Sequence, residues 1–506
     1  MKDNYLTLEI KNLQEKYKNG ILNFTNNMFM SNDNKKTLPV YCPLNGEVLS
    51  EVTDSDEKDL EEIVFAIEQK QKIWEGYTFK KRADIVYKYR NILIDNIDEL
   101  SMSIHLENGK CLADAKAEVL KSIETVEFAC SMPNIIAGRL EEVSTNVWAM
   151  DEARPLGIVS SITPFNFPAM VPHWTIAQAI VLGNSMILKP SEQTPITSQL
   201  IAKYWKQAGL PDGVFNLVNG GTKIVQAICD NPKIKAVSFV GSTKVAEIVY
   251  KRASGNLKRA LTLGGAKNFI TVLPDSPVNS TVRDLISSAY GMVGQRCMAA
   301  SVIIAVDDFK IKDKLVEELN NMSVRPNADF TEGLSPVSSL AGVENIKKYI
   351  DFAKDSGAKI LVNGLDFKPE KEFENGYYLG PTLIDWRGCE DKMSPDEIFG
   401  PVLEIVGASN LEEAIKIQNN SPYGNAASIF TGKGLEAFEA IKHFKAGMLG
   451  INIGVPVPRE PMSFGGIKLS KFGFGDITGP SANQFWTDLV KVTMKWNPES
   501  KKDWLS

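Results

Sequence analysis

Apolar residues in the first part of the chain recur at helical spacing. Leu60, Ile63, Val64, Ile67 and Trp74 fall on one helix face, Ile85, Tyr89, Ile92, Leu93 and Ile97 on a second, and CLADAKAEVLKSIETVEFACSM reads as a third helix. Ahead of them, Leu6, Ile10 and Leu13 predict a short amphipathic helix, and VYCPLNGEVLSEV (40–52) predicts two short strands turned at Asn45–Gly46. Near residue 155 the rhythm changes. Short β-rich apolar runs, GIVSSITP (157–164), SMILKP (185–190), VFNLV (214–218) and KAVSFVG (235–241), alternate with helical stretches over 169–182, 194–209, 223–229 and 244–251. That is the pattern of βαβ units on a parallel sheet covered on both faces. A second alternating series starts at NFITVLP (268–274). It continues through a helix into Cys297, SVIIAVDD (301–308), a helix from Ile311, KILVNG, AASIFT and GMLGINI. Two α/β domains meeting near Gly264–Lys267 are expected. The late strand LVKVTMKW (489–496) is left to pair with a distant segment or another subunit.

Composition narrows the class. A chain of 506 residues, 43% hydrophobic and 23% charged, is a soluble globular protein with room for two or three domains. Its net charge of −6, from 62 acidic and 56 basic residues with no Lys/Arg block, argues against a nucleic-acid partner. No apolar run has the length of a membrane span, and the N-terminus lacks the apolar core of a signal peptide. Six scattered cysteines without a CxxC pair predict neither disulfides nor a zinc site and fit a reducing cytoplasm. The three histidines, His105, His173 and His443, form no ligand-like pair, so no metal is expected.

The chemistry gathers in short segments. Cys297, in GQRCMA (294–299), is either a buried structural thiol or a nucleophile. Asn166, in TPFNFP (163–168), is a turn residue or an amide donor to a developing oxyanion. In ILKPSEQTP (187–195), Lys189 ends a strand and Glu192 precedes a helix. They suit a capped helix start, or a grip on the hydroxyls of a ribose at the carboxyl end of a parallel sheet. In FVGSTKV (239–245) a strand runs into Gly241 and a helix follows from Ser242, a place for a pyrophosphate, although no G-x-G-x-x-G follows a strand. EIFGPVL (397–403) reads as a turn carrying Glu397 and Phe399.

The order TPFNFP, LKPSE, FVGST, LGGAKN, GQRC, EIFGP, NSPYG and SFGGIKLS resembles the aldehyde dehydrogenase superfamily over about residues 25–496. GAKN, GQRCMA, ENGK (107–110) and VPVP (455–458) resemble most its methylmalonate-semialdehyde, coenzyme-A-acylating branch. The resemblance implies an α/β fold of two doubly wound domains with a small β oligomerisation arm. The NAD-binding domain would take 1–143 and 158–264, the catalytic domain 265–477, and the arm and tail 144–157 and 478–506. It implies a homodimer or homotetramer and a small-molecule aldehyde substrate. Cys297 would attack the aldehyde, with Asn166 and the Cys297 backbone N–H as oxyanion hole and the thiolate favoured by those dipoles and by Arg296. Phe165, Lys189, Glu192, Gly241, Ser242, Glu397 and Phe399 would hold NAD, with Glu192 disfavouring a 2′-phosphate.

Two departures bear on substrate and product. Of the two arginines that hold the substrate carboxylate in that branch, one matches Arg296, while the other falls at Lys121, with Arg459 as a replacement cation. Hydrolytic members carry a glutamate base in ELGG, where this chain has TLGG with Thr262, and Asp476 is a substitute base. An acyl-CoA product is expected, against the alternatives of hydrolysis to a free acid and of a catalytically silent relative that keeps the fold.

Overall fold

The computed structural model describes residues 2–496 apart from 137, 308, 325–333 and 370. The end of the expected arm segment, 497–506, therefore lies outside the described residues, as does position 308 of SVIIAVDD.

Two largely parallel sheets organise the chain. The first runs in the order Met28–Phe29, Phe24–Thr25, Phe215–Leu217, Ser185–Lys189, Ile158–Ile162, Ile234–Val240, Arg259–Leu263, Lys471–Phe472. Its five inner strands are parallel and antiparallel strands close both edges. Ile158–Ile162 and Ser185–Lys189 are buried at every position, because helices cover both faces. Met170–Val181, buried all round, is one of those covers. The second sheet runs Lys359–Val362, Thr382–Asp385, Val402–Ala408, Ala300–Val306, Asn268–Val272, Ala426–Phe430, Met448–Ile451, with only the first strand antiparallel. Arg259–Leu263 belongs to the first sheet and Asn268–Val272 to the second, so the chain crosses between them at 264–267.

The late strand, Thr487–Lys495, pairs within the chain. It runs antiparallel to Val147–Pro155 along its whole length, and Leu140–Ser144, which the sequence reading leaves in the cofactor part, adds a third strand. The predicted hairpin forms as Thr37–Tyr41 against Val48–Thr53. The N-terminal helix spans Lys2–Lys16 and buries Leu6, Ile10 and Leu13.

Three features depart from the sequence-based expectations. The second predicted helix stops at Asp95. Asn96 ends it and opens a separate helix, Ile97–Asn108, which carries the first two residues of ENGK. Thr382–Asp385 and Val402–Ala408 are central strands that the pattern does not mark. Glu404 interrupts the apolar run of the second, and it is buried only because Lys267 pairs with it at 2.6 Å and Trp386 Nε1 donates to it at 2.9 Å. Finally, Ser191 and Glu192 do not cap the next helix, Ile196–Gln207. Its first amides, Ile196 N and Thr197 N, donate to the distant Glu107 at 2.6 and 2.9 Å.

Candidate active site

At the carboxyl ends of Ile158–Ile162, Ile234–Val240 and Arg259–Leu263 lies a cleft of about 280 Å³. Its walls include Phe165, Asn166, Gly241 and Ser242 from the first sheet and Cys297, Glu397 and Phe399 from the second. Gly264, Gly265 and Asn345 complete it. Seven sequence-predicted residues, far apart in the chain, thus share one cavity.

Asn166 is buried beside the loop that carries Cys297. Its Nδ2 donates to Gln295 O at 3.0 Å, which uses one of two amide hydrogens, and its own backbone carbonyl accepts from Lys110 Nζ at 2.6 Å. Cys297 is half-buried, and its carbonyl accepts from Asn268 Nδ2 at 2.9 Å and Asn425 Nδ2 at 3.0 Å. The loop before it is bent through left-handed backbone at Met292, Val293 and Gly294. Gly294 is required: φ is +69° and a Cβ would lie 2.2 Å from Gly400 O.

The backbone dipoles and Arg296 act on Cys297 in the expected direction, but burial outweighs them in the free protein. Burial pushes the thiol up to about 12. Glu397 raises it further, against Arg296 and the backbone N–H groups of Cys297 and Met298. Glu397 shares this environment: burial pushes its carboxyl up to about 8, against the Ala266 N–H, which donates to it at 3.1 Å, and against Lys267. Phe399, at φ +57°, meets Phe165 edge-on across the cleft, with ring centroids 6.0 Å apart.

On the first-sheet side, Ser242 caps the helix Thr243–Gly255 without a side-chain hydrogen bond to its first amides. Lys189 Nζ lies 3.3 Å from Glu192, buried at the strand end while Glu192 is half-buried. Neither of them lines the cleft itself.

The three predicted substrate cations also lie off the cleft wall. Arg296 Nη2 donates to the carbonyls of Ser287 and Ser288, both at 2.7 Å, at the end of the helix Val278–Tyr290. Lys121 Nζ is bound by Glu460 at 2.7 Å and Glu124 at 2.8 Å, and the exposed Arg459 approaches Glu124 at 4.0 Å. Thr262 is wholly buried and donates to Ala246 O at 3.0 Å, so position 262 offers the cleft no base. Asp476 is paired with Lys471 at 2.9 Å and is absent from the cleft wall.

Several supporting residues escape a reading of spacing. Asn268 and Asn425 reach the Cys297 carbonyl, Lys267 pairs with Glu404 and Lys110, paired with Glu118, reaches the Asn166 carbonyl, all across long sequence separations, and Asn345 joins the cleft wall. Lys110, Lys267 and Asn268 do sit in ENGK and GAKN, where a motif was the only signal.

A thiol beside an amide donor, opposite a helix N-terminus, is equipment for covalent carbonyl chemistry next to an anionic cofactor. The chain belongs to the aldehyde dehydrogenase family, whose model matches residues 29–492. It is 39% identical over 479 residues to malonate-semialdehyde dehydrogenase 2 of Geobacillus kaustophilus, covering 94% of this chain and 98% of that one. It is 39% identical over 482 residues to malonate-semialdehyde dehydrogenase of Lacticaseibacillus casei, covering 94% and 96%. Among solved structures, methylmalonate-semialdehyde dehydrogenase of Oceanimonas doudoroffii superposes with a TM-score of 0.92 at 38% identity, covering 94% and 98%. A Sinorhizobium meliloti protein assigned to the same activity, solved with NAD, gives 0.92 at 36%, covering 96% and 99%.

Proposed function

We propose that this enzyme oxidises a small anionic semialdehyde of the malonate or methylmalonate type with NAD, through a thioester on Cys297 that is released to coenzyme A. The observation that carries the reading is the convergence of Cys297, Asn166 and Glu397 on one cleft. Cys297 loses its thiol proton to solvent, its sulfur adds to the aldehyde carbon, and the carbonyl oxygen becomes an alkoxide that Asn166 and the Cys297 N–H meet with hydrogen bonds. Loss of hydride from that carbon leaves the thioester. NAD, when bound, supplies the hydride acceptor.

The cleft suits that cofactor. A Cβ at Gly264 would lie 2.7 Å from Leu469 O and one at Gly265 2.6 Å from Glu397 Oε2, so glycines let the 264–265 backbone pack against these neighbours as part of the cleft wall. Ser242 and the amides behind it would face the pyrophosphate, Lys189 and Glu192 the adenosine ribose, and Glu397 and Phe399 the nicotinamide end. Glu192 would disfavour a 2′-phosphate.

Release to coenzyme A follows from the missing base. Thr262 turns into the core, Asp476 is held by Lys471, and Glu397 is the only carboxylate among the residues lining the cleft. Water attack is therefore poorly assisted, whereas a thiol co-substrate brings its own nucleophile and expels the Cys297 thiolate. If Lys121 meets the substrate carboxylate, it does so in competition with Glu460. The outer sheet exposes Leu140, Val143 and Leu489, the arm through which copies would associate in a cytoplasmic homodimer or homotetramer.

The test is a panel of semialdehydes with NAD or NADP, with and without coenzyme A, read by NADH absorbance and by mass spectrometry of the product. Acyl-CoA and NAD preference are expected. Free acid formed at one rate with and without coenzyme A would exclude the acylating route.

A further inference from the structure

The buried pair Lys110–Glu118 lies behind the cleft, and nothing in the mechanism above uses it. Both side chains are almost wholly shielded, at 3% and 0% exposure. They come from ENGK and from the following helix, Leu112–Cys130. A buried ion pair is weak as a source of stability, so its placement needs another account. Lys110 Nζ donates to Glu118 Oε2 and to the Asn166 carbonyl, and sits 4.2 Å from the centre of the Phe167 ring. The other carboxylate oxygen, Glu118 Oε1, accepts from Ala169 N at 2.8 Å and Met170 N at 3.1 Å. One ion pair therefore holds both ends of the turn 166–170.

The neighbouring motif residue completes the hold. Asn108 Nδ2 donates to Phe165 O at 3.0 Å. On the far side of Asn166, the Gln295 carbonyl takes one Nδ2 hydrogen, and the Gln295 side chain is fixed by Ser338 N and Oγ at 2.9 and 2.7 Å. The backbone of Asn166 is thus anchored from ENGK and its amide is aimed from the nucleophile loop. What stays free is the second amide hydrogen.

We infer that Lys110 and Glu118 are positioning residues: their ion pair fixes the Asn166 turn so that the amide meets the oxyanion formed at Cys297. The inference rests on Asn166 as oxyanion donor. Misplacing a catalytic group by about 1 Å can cost about a hundredfold in rate, so a clamp on the backbone of Asn166 acts on turnover more than on binding.

The experiment is a double-mutant cycle on kcat with the full enzyme. Lys110→Met combined with Glu118→Gln removes the bond to Asn166 O while leaving no orphan charge and keeping an acceptor for Ala169 and Met170. Lys110→Gln combined with Glu118→Gln, which also leaves no buried charge, guards against a variant that fails to fold, and a smaller loss of kcat is expected from it because an amide at 110 can still donate to the Asn166 carbonyl. The Lys110→Met pair variant should lose roughly ten- to a hundredfold in kcat, with the Kd for NAD unchanged. Asn166→Ala should lose about a hundredfold or more. In the Asn166→Ala background the pair variant should cost nothing further, because its target is gone. Losses that multiply would show that the pair acts elsewhere and would overturn the proposal. An Asn166→Ala enzyme with full kcat would instead remove the oxyanion reading, and this proposal with it.

Discussion

The two walls of the cleft are built on different principles. The first-sheet wall is regular. Phe165, Asn166, Gly241 and Ser242 follow directly from the ends of buried parallel strands, and a helix N-terminus stands behind Ser242. The second-sheet wall is irregular. Cys297 and Phe399 sit on loops that pass through left-handed backbone, and these loops pack so closely that a Cβ at Gly294 would lie 2.2 Å from Gly400 O. What holds the irregular wall is polar. Asn268 and Asn425 grip the Cys297 carbonyl, while Lys267 bonds Ser394 O at 2.7 Å and Asp396 O at 3.0 Å from its buried pairing with Glu404. Regular elements place groups by repetition of backbone geometry. Strained loops need dedicated partners, and those partners are where this wall can be broken.

The largest effect belongs to Cys297→Ala. Turnover should fall to background, while the melting temperature and NAD binding by calorimetry stay near wild type. More than a small fraction of wild-type NADH formation would remove Cys297 from the reaction.

Gly294→Ala tests the loop contact. A Cβ at φ +69° and 2.2 Å from Gly400 O must push the two loops apart. A drop of roughly a hundredfold in kcat is expected. The matching change on the regular wall, Ser242→Ala, should leave kcat within a few-fold and act on the KM for NAD.

Lys267→Met isolates the clamp. It leaves Glu404 charged and buried, at a cost of about 3–5 kcal/mol in urea unfolding, and Lys267→Met with Glu404→Gln should recover most of it. If the double variant regains stability but not the KM for NAD, the clamp positions Glu397 and Phe399. Full recovery of both would reduce it to a packing element.

The pH dependence of thiol reactivity is gentler but distinct. With the free-enzyme thiol held up to about 12, its thiolate fraction grows about tenfold per pH unit well below that value. Iodoacetamide inactivation without NAD should therefore keep rising from pH 7 to 10, where an activated cysteine would level off. A plateau near pH 8 would show that the loop dipoles outweigh burial.

The smallest effect expected is at the charge cluster outside the cleft wall. Glu460→Gln releases Lys121 from one of its two carboxylates. The ratio of kcat/KM for an anionic semialdehyde over propanal should rise roughly three- to tenfold. An unchanged ratio would detach Lys121 from the substrate.

The chain alone carried a good deal of this. Apolar runs such as ILK and SFV, alternating with helical stretches, announced parallel sheets, since strands covered on both faces admit few polar residues. The seven predicted cleft residues were legible because each sits in a short motif, whereas Asn345 does not. The chain alone misjudged what depends on partners. Glu404 hid a central strand, since a buried carboxylate looks like a solvated one until Lys267 arrives from far away in the sequence. Asn96 hid a helix boundary inside a continuous apolar stripe. Arg296, read as an activating and substrate-binding cation, does act to lower the Cys297 thiol, and what the chain did not show is that its Nη2 is held by the carbonyls of a helix end.

Tertiary structure alone decided the protonation of Cys297 and the support of Asn166. A thiol's pKa is set by how much water folding removes and which charges it brings near, and Glu397 comes to Cys297 from about a hundred residues along the chain. The Lys110–Glu118 pair meets the Asn166 turn only because a helix bundle packs against the first sheet. Local sequence determines which groups a segment carries. The fold determines which of them are dehydrated together, and at this site dehydration sets the chemistry.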